Sequence, residues 1–242
     1  MKEYYGEGSK IYGQTRGKQL LLMPALKRCL PTASKGAKLL DVGCGTGDLY
    51  SLVLEKGYHY CGIDISRDMI SVARIRFPNT EFVVADACFL SQAHQDTYDV
   101  VLLTMLFPAL DSKEDIIKIL QECSKVLADD GKIFVSVTHP SFDHYMQKHL
   151  FKRDDIETNF KGYFHSGTPL VIHQTINEQP FIFNDFHWTM SDYISAIQAA
   201  GLYLQALDEC PGVSKNMSED DLLWATKRDS FPTYLVMTLG RL

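Results

Sequence analysis

The stretch Leu39-Leu40-Asp41-Val42-Gly43-Cys44-Gly45-Thr46-Gly47-Asp48-Leu49 decides how the rest of the chain is read. An apolar run enters three glycines at alternate positions and passes directly into an amphipathic segment. The pattern predicts a buried strand, a tight loop and the start of a helix. Glycines let the backbone turn sharply and approach a ligand closely, and a helix N-terminus offers unpaired N–H groups to an anion. The spacing is G-x-G-x-G after an aspartate. The dinucleotide fingerprint that cradles a pyrophosphate reads G-x-G-x-x-G, so a nicotinamide-dependent dehydrogenase is disfavoured.

Working outward, short apolar runs alternate with amphipathic segments from residue 38 on, the signature of βαβ units. Strands are expected at 38–42, 59–63, 81–84, 98–103, 131–137, 202–207 and 233–239. Helices are expected at 47–56, from the Ser66 cap to residue 76, and at 112–127 with Asp111 as N-cap. A further helix is capped by Thr189, with Asp192 three residues on and Gly201 after its end. Seven strands with interleaved helices predict one doubly wound α/β sheet in a single domain, 1–242. Two parts fall outside the alternation. Residues 1–30 carry Tyr4, Tyr5 and Tyr12 ahead of an amphipathic helix. Residues 140–188 are rich in aromatics and contain a hairpin, 170–176 and 181–186 about a turn at 177–179. An insertion there lies at the edge where open α/β sheets bind ligands, which makes it a candidate lid or substrate wall.

A composition of 45% apolar and 22% charged residues excludes disordered and fibrous classes. The N-terminus lacks the apolar core of a signal peptide, and the most apolar stretch, 100–110, is too short to cross a bilayer. A cytoplasmic protein without a membrane partner is expected. The six cysteines form no C-x-x-C pair, so no zinc or redox motif is indicated, and they read as buried thiols in a reducing compartment. A net charge of −6 gives no electrostatic reason for a nucleic-acid partner. Oligomeric state leaves no trace in the sequence.

The segment D-V-G-C-G-T-G at 41–47 resembles the first motif of class I S-adenosylmethionine-dependent methyltransferases, of the bacterial small-molecule type. The similarity follows the order of elements from about residue 10 to the C-terminus, closely in the first half and loosely over 140–188. The resemblance implies a Rossmann-like seven-stranded sheet, mostly parallel with an antiparallel last strand, and S-adenosylmethionine as cofactor. It implies that Asp41, Gly43, Cys44, Gly45 and Gly47 form the cofactor loop. Asp64, closing the second strand about 20 residues on, can accept from both hydroxyls of a ribose. Its alternative is a capping role, although Ser66 already serves as cap. The resemblance adds Ile65 and Met69 as apolar contacts to adenine, Asp86 and Ala87 at the adenine amino group and ring, and Leu103 and Thr104 beside the methionine part. Asp86 also reads as an exposed loop residue, and Asp99 as a structural contact at the strand's start. In Tyr12-Gly13-Gln14-Thr15-Arg16, similar to a segment that folds over the cofactor in related enzymes, Arg16 can pair with the cofactor carboxylate. Tyr12 either faces the sulfonium or packs.

Methyl transfer is an in-line displacement on an activated sulfonium, so the protein needs positioning and, for a protonated acceptor, a base. Six of the eight histidines lie between 139 and 187. His139 directly follows the fifth strand. His187 begins a His-x-Thr-x-Ser-Asp-Tyr stretch that resembles one bordering the substrate cleft in the family. These two are the candidate catalytic residues; a solvated or core position is the alternative for each. No H-x-H or H-E-x-x-H spacing occurs, so no metal is expected. Residues 104–108 lack the Asn/Asp-Pro-Pro-aromatic signature of enzymes acting on nucleic-acid bases. The expected reaction is therefore methylation of a small molecule. The alternatives are a non-catalytic S-adenosylmethionine-binding regulatory subunit and an RNA or tRNA methyltransferase.

Overall fold

The computed structural model describes residues 15–93, 96–143, 146, 148–149, 154–176, 178–210, 218–226 and 231–242. Its strands are β1 (Lys38–Val42), β2 (His59–Asp64), β3 (Glu81–Val84), β4 (Tyr98–Thr104), β5 (Leu127–Thr138), β6 (Ile156–Thr158), β7 (Thr168–Ile176), β8 (Gln179–His187), β9 (Leu202–Glu209) and β10 (Tyr234–Arg241). Seven of them form one sheet in the order β3-β2-β1-β4-β5-β10-β9. β1 to β5 run parallel, whereas β10 is antiparallel to both β5 and β9. This is the expected Rossmann-like sheet with an antiparallel last strand. The order reverses between β1 and β4, the switch point at whose carboxyl edge such sheets bind ligands.

Parallel strands are buried on both faces and alternate between two cores. Leu40, Val42, Val101, Leu103, Ile133 and Val135 pack beneath α5 (Lys113–Lys125) and the helix Met190–Ala199. Leu39, Val100, Leu102 and Phe134 face the opposite side, under α1 (Met23–Cys29), α2 (Tyr50–Glu55) and α3 (Arg67–Arg76). Asp99 accepts from the Lys38 amide at 2.8 Å, the structural contact expected of it.

Three local expectations are corrected. The helix after the glycine loop begins at Tyr50 rather than residue 47, because Gly47 sits at φ +76, outside helical geometry. Ser112, not Asp111, caps α5, its hydroxyl accepting from the Asp115 amide at 3.2 Å. The fifth strand begins at Leu127, paired with Tyr98 across a register shift. The Thr189–Asp192 capping box forms as read. The helix Glu219–Thr226 was not anticipated.

The insertion holds a second sheet, β6-β7-β8, including the expected hairpin. Ile156, Leu170 and Ile172 are its own small core, joined by Phe160 and Phe183. Trp188 ties the hairpin to the main sheet, its indole donating to the Leu110 carbonyl at 3.1 Å.

Candidate active site

The loop after β1 is folded by its backbone. The amides of Gly43 and Cys44 both donate to the Ile63 carbonyl, at 2.8 and 2.9 Å. At Gly43, φ is +74 and an added Cβ would come within 3.1 Å of the Leu106 side chain; at Gly47 it would meet the Phe82 ring at 2.9 Å. Both positions combine a left-handed conformation with close packing, and only glycine meets both demands. Arg76 clamps the loop from α3: its Nη1 donates to the Thr46 carbonyl and hydroxyl (2.9 and 2.8 Å) and to Asp48 (2.6 Å).

Asp64 stands at the mouth. Its Oδ2 accepts from the Gly45 amide and its Oδ1 from the Ser66 amide, each at 2.9 Å. Burial pushes its carboxyl up, and the backbone amides offset part of that. The Ile65 amide acts on the same carboxylate, which with about four acceptor positions keeps capacity for a ligand hydroxyl. Next to it, a cleft of about 630 Å³ is lined by Ile65, Met69, Ala85, Ala87, Met105 and Leu106, together with Gly43, Gly45 and Thr104. Met105 adopts φ +57, a left-handed conformation that costs a residue with such a side chain about 1–3 kcal/mol.

A second cleft, of about 490 Å³, adjoins on the other side of the loop, between Lys18, Gln19, Asp41, Asp48 and Thr104. Burial raises the Asp41 carboxyl to about 7, although Tyr60 donates to it at 2.8 Å. Lys18 is half-buried, and enclosure of its ammonium lowers it to about 8 against the pull of Asp48, Asp185 and Asp41. Thr104 lines both clefts, and its buried hydroxyl has no hydrogen-bond partner among the described residues. A buried hydroxyl left unmatched costs about 1–3 kcal/mol, which marks this junction as a place completed by a ligand. A long ligand with an apolar ring, a diol and a zwitterionic end fits the pair of clefts.

The structure thus gathers Asp41, Gly43, Cys44, Gly45, Asp64, Ile65, Met69, Ala87 and Thr104 around the clefts. Other candidates are placed differently. Gly47 shapes the loop from behind. Leu103 is buried in the core, facing away from the clefts. Asp86 caps the turn at Ala87–Phe89 by accepting from the Cys88 amide at 2.9 Å. Arg16 forms an exposed ion pair with Asp221 at 2.6 Å, and the cation in the cleft is Lys18. Tyr12 lies outside the described residues.

The two histidines expected as candidate bases are both engaged by the protein. His187 is buried; its Nε2 donates to the Tyr163 carbonyl at 2.7 Å and its Nδ1 is paired with the Asp143 carboxylate. At His139, Nδ1 accepts from the Ser141 amide at 3.2 Å and Nε2 faces Glu209 Oε1 at 3.0 Å. Burial lowers His139, with Glu209 opposing. Neither imidazole keeps a lone pair for a ligand. Both anchor the segment that follows β5.

Sequence reasoning missed Lys18, Gln19, Met105, Leu106 and Ala109. A lone lysine at the head of the apolar run Leu20-Leu21-Leu22-Met23 was the available signal for the first. The backbone strain at Met105 has no sequence signature.

The comparisons agree with this geometry. A model of the family described as "Methyltransferase domain" matches residues 15–205. A ubiquinone biosynthesis O-methyltransferase of Aliivibrio fischeri is 29% identical over 115 residues, 46% of this chain and 48% of that protein. The chain therefore spans about half the length of the curated relatives it matches. A crystal structure of a Pyrococcus horikoshii protein superimposes with TM-score 0.66 at 21% identity, covering 100% of both chains. A structure of an S-adenosylmethionine-dependent methyltransferase from Listeria monocytogenes gives 0.66 at 21% identity, over 90% of this chain and 96% of that one. At such identities the likeness speaks for the fold. Among the described residues no helix is long and apolar enough to cross a membrane.

Proposed function

The chain belongs to the methyltransferase-domain family, and from that premise we propose that it transfers a methyl group from S-adenosylmethionine to a small-molecule acceptor. The observation that carries this reading is the junction of the two clefts at Thr104, with Asp64 on one side and the Lys18–Asp41 pair on the other. Ile65, Met69 and Ala87 hold the adenine, and Asp64 holds the ribose diol. Asp41 and Lys18 take the ammonium and carboxylate of the amino-acid end, which places the sulfur beside Thr104. When bound, the donor supplies a methyl group already activated on a sulfonium.

The chain's own work is then to bind, align and exclude water; such positioning contributes on the order of 7–11 kcal/mol at best. Residues 1–242 act as one domain. The helical segment beginning at Lys18 closes the amino-acid cleft through Lys18 and Gln19, and the β6-β7-β8 insertion walls the acceptor side. His139 and His187 contribute by fixing that wall. The matched relatives are named as O-methyltransferases, which supports an oxygen acceptor. The six free thiols fit a cytoplasmic setting.

Calorimetric titration with S-adenosylmethionine and S-adenosylhomocysteine tests the donor site, and release of S-adenosylhomocysteine in the presence of acceptors tests turnover. Absence of binding by both at millimolar concentration overturns the reading. Binding without turnover on any acceptor leaves a regulatory subunit in its place.

A further inference from the structure

Asp41 and Tyr60 are joined across two parallel strands. In the β1–β2 register Asp41 stands beside Gly62, and Tyr60 lies two residues earlier on the same face of β2. The missing side chain at Gly62 leaves room for the phenol: a Cβ there would come within 2.9 Å of the Tyr60 oxygen and of Cys44 Sγ. The ring packs edge-on against Tyr50, with centroids 5.4 Å apart, and against Phe82 at 5.5 Å. So directed, the hydroxyl donates to Asp41 Oδ2 at 2.8 Å, and both residues are buried.

Packing alone asks for none of this. A glycine in a strand interior weakens the strand, and a buried carboxylate is costly unless something answers its charge. Asp41 lines the amino-acid cleft with Lys18, Gln19 and Thr104, whereas Tyr60 lines neither cleft. Burial raises the Asp41 carboxyl, and the Asp48 and Asp64 carboxylates add to that; the Tyr60 hydrogen bond and the Lys18 ammonium oppose it. A hydrogen bond to the charged form of a group favours that form. The donor itself keeps its proton, because burial and the neighbouring Asp41 push the phenol well above its ordinary range. The Cys44 and Cys61 thiols nearby are also raised by burial, Cys61 to about 12, and stay neutral. Tyr60 is therefore a fixed neutral donor behind a carboxylate that faces the cleft.

We propose that Tyr60 is a positioning residue for the methyl donor, its hydroxyl holding and orienting the Asp41 carboxylate that meets the ammonium of the amino-acid end. The proposal rests on the assignment of Asp41 to that ammonium, but the link between Tyr60 and Asp41 is tested apart from it.

Tyr60→Phe keeps the ring and removes the hydroxyl. In the free protein the Asp41 carboxyl carbon, followed by carbon NMR and assigned with Asp41→Asn, should titrate about one pH unit higher in Tyr60→Phe. Calorimetry with S-adenosylhomocysteine should show the acidic limb of affinity moved up by the same interval, a loss of about fivefold at pH 7. In the Asp41→Asn background the same change should cost less than about twofold, since the carboxylate it acts through is gone. A packing role alone would lower stability and leave both midpoints in place. If Tyr60→Phe fails to fold, the unmodified protein decides: the Tyr60 Cζ signal should follow the Asp41 titration in the free protein and cease to do so once S-adenosylhomocysteine fills the cleft. A Cζ signal that ignores Asp41 overturns the proposal. So does an unmoved Asp41 midpoint in folded Tyr60→Phe, or a moved midpoint with an unmoved acidic limb. If the unmodified protein binds no S-adenosylhomocysteine, the donor reading falls and the proposal with it; a shifted Asp41 midpoint would then still show the Tyr60–Asp41 link intact, which tells the two failures apart.

Discussion

The amide of Gly45 donates to Oδ2 of Asp64 at 2.9 Å, so the loop after β1 and the end of β2 are held together by the same carboxylate that faces the donor cleft. Because Asp64 also accepts from Ser66 at the head of α3, one side chain sets both the loop and the helix start, and it is the group proposed to meet the ribose.

That dual role makes Asp64 the most informative single position. Asp64→Ala should weaken S-adenosylhomocysteine at least about tenfold through loss of charge-assisted contacts, measured by calorimetry on protein shown to be folded. An unchanged dissociation constant would remove the ribose assignment.

Lys18 and Arg16 separate two accounts of the amino-acid end. Lys18→Met should cost about tenfold in affinity for S-adenosylhomocysteine, since a charged group loses its hydrogen bond in an enclosed cleft. Arg16→Met breaks an exposed pair with Asp221 away from both clefts and should change affinity less than about threefold. The reverse ranking would return the carboxylate contact to Arg16.

The Asp41 carboxyl is raised by burial to about 7 and Lys18 is lowered by burial to about 8. The folded protein therefore binds more protons at Asp41 than the unfolded chain does between about pH 4 and 7, so this residue makes stability fall as pH rises through that window, at up to about 1.4 kcal/mol per unit. A bound ammonium requires Asp41 ionised, and a bound carboxylate requires Lys18 protonated. Donor affinity should rise with pH towards 7 and decline above 8, and Asp41→Asn should flatten the acidic limb. Titration of both proteins from pH 5.5 to 9.5 checks it; an acidic limb that persists in Asp41→Asn refutes the assignment.

The Asp143–His187 pair is a structural post, with side chains 7% and 1% exposed. His187→Phe should destabilise the fold by about 3–5 kcal/mol, because it removes one member of a buried ion pair and leaves the Asp143 carboxyl in place. Adding Asp143→Leu should recover part of that loss. Denaturant unfolding of the single and double variants measures both effects, and a single variant as stable as the unmodified protein would show that the pair bears no structural role.

Much of this was readable before any coordinates. The short continuous apolar runs within 38–42 and 98–103 specify buried strands because successive residues must find one of two cores. Three glycines at alternate positions announce a loop that only they can form, and Asp64 follows from its place at the next strand's end. The partners of the histidines were not legible: the cluster pointed to the insertion, but not to Asp143, Tyr163 or Glu209, which engage His187 and His139.

What the chain determined by itself is local or periodic: strand and helix type, the glycine turn, the Thr189 cap and the family those motifs belong to. Only the tertiary structure decided which side chains share a site. His187 is engaged by groups 44 and 24 residues away, and His139 by Glu209, 70 residues on; no pattern along the chain encodes such partners. Lys18 and Arg16 are two residues apart, and the rotation of a helix sends one into the donor cleft and the other to Asp221. A side chain's chemistry follows from whether its hydrogen-bonding atoms are already taken, and that is settled when distant segments pack.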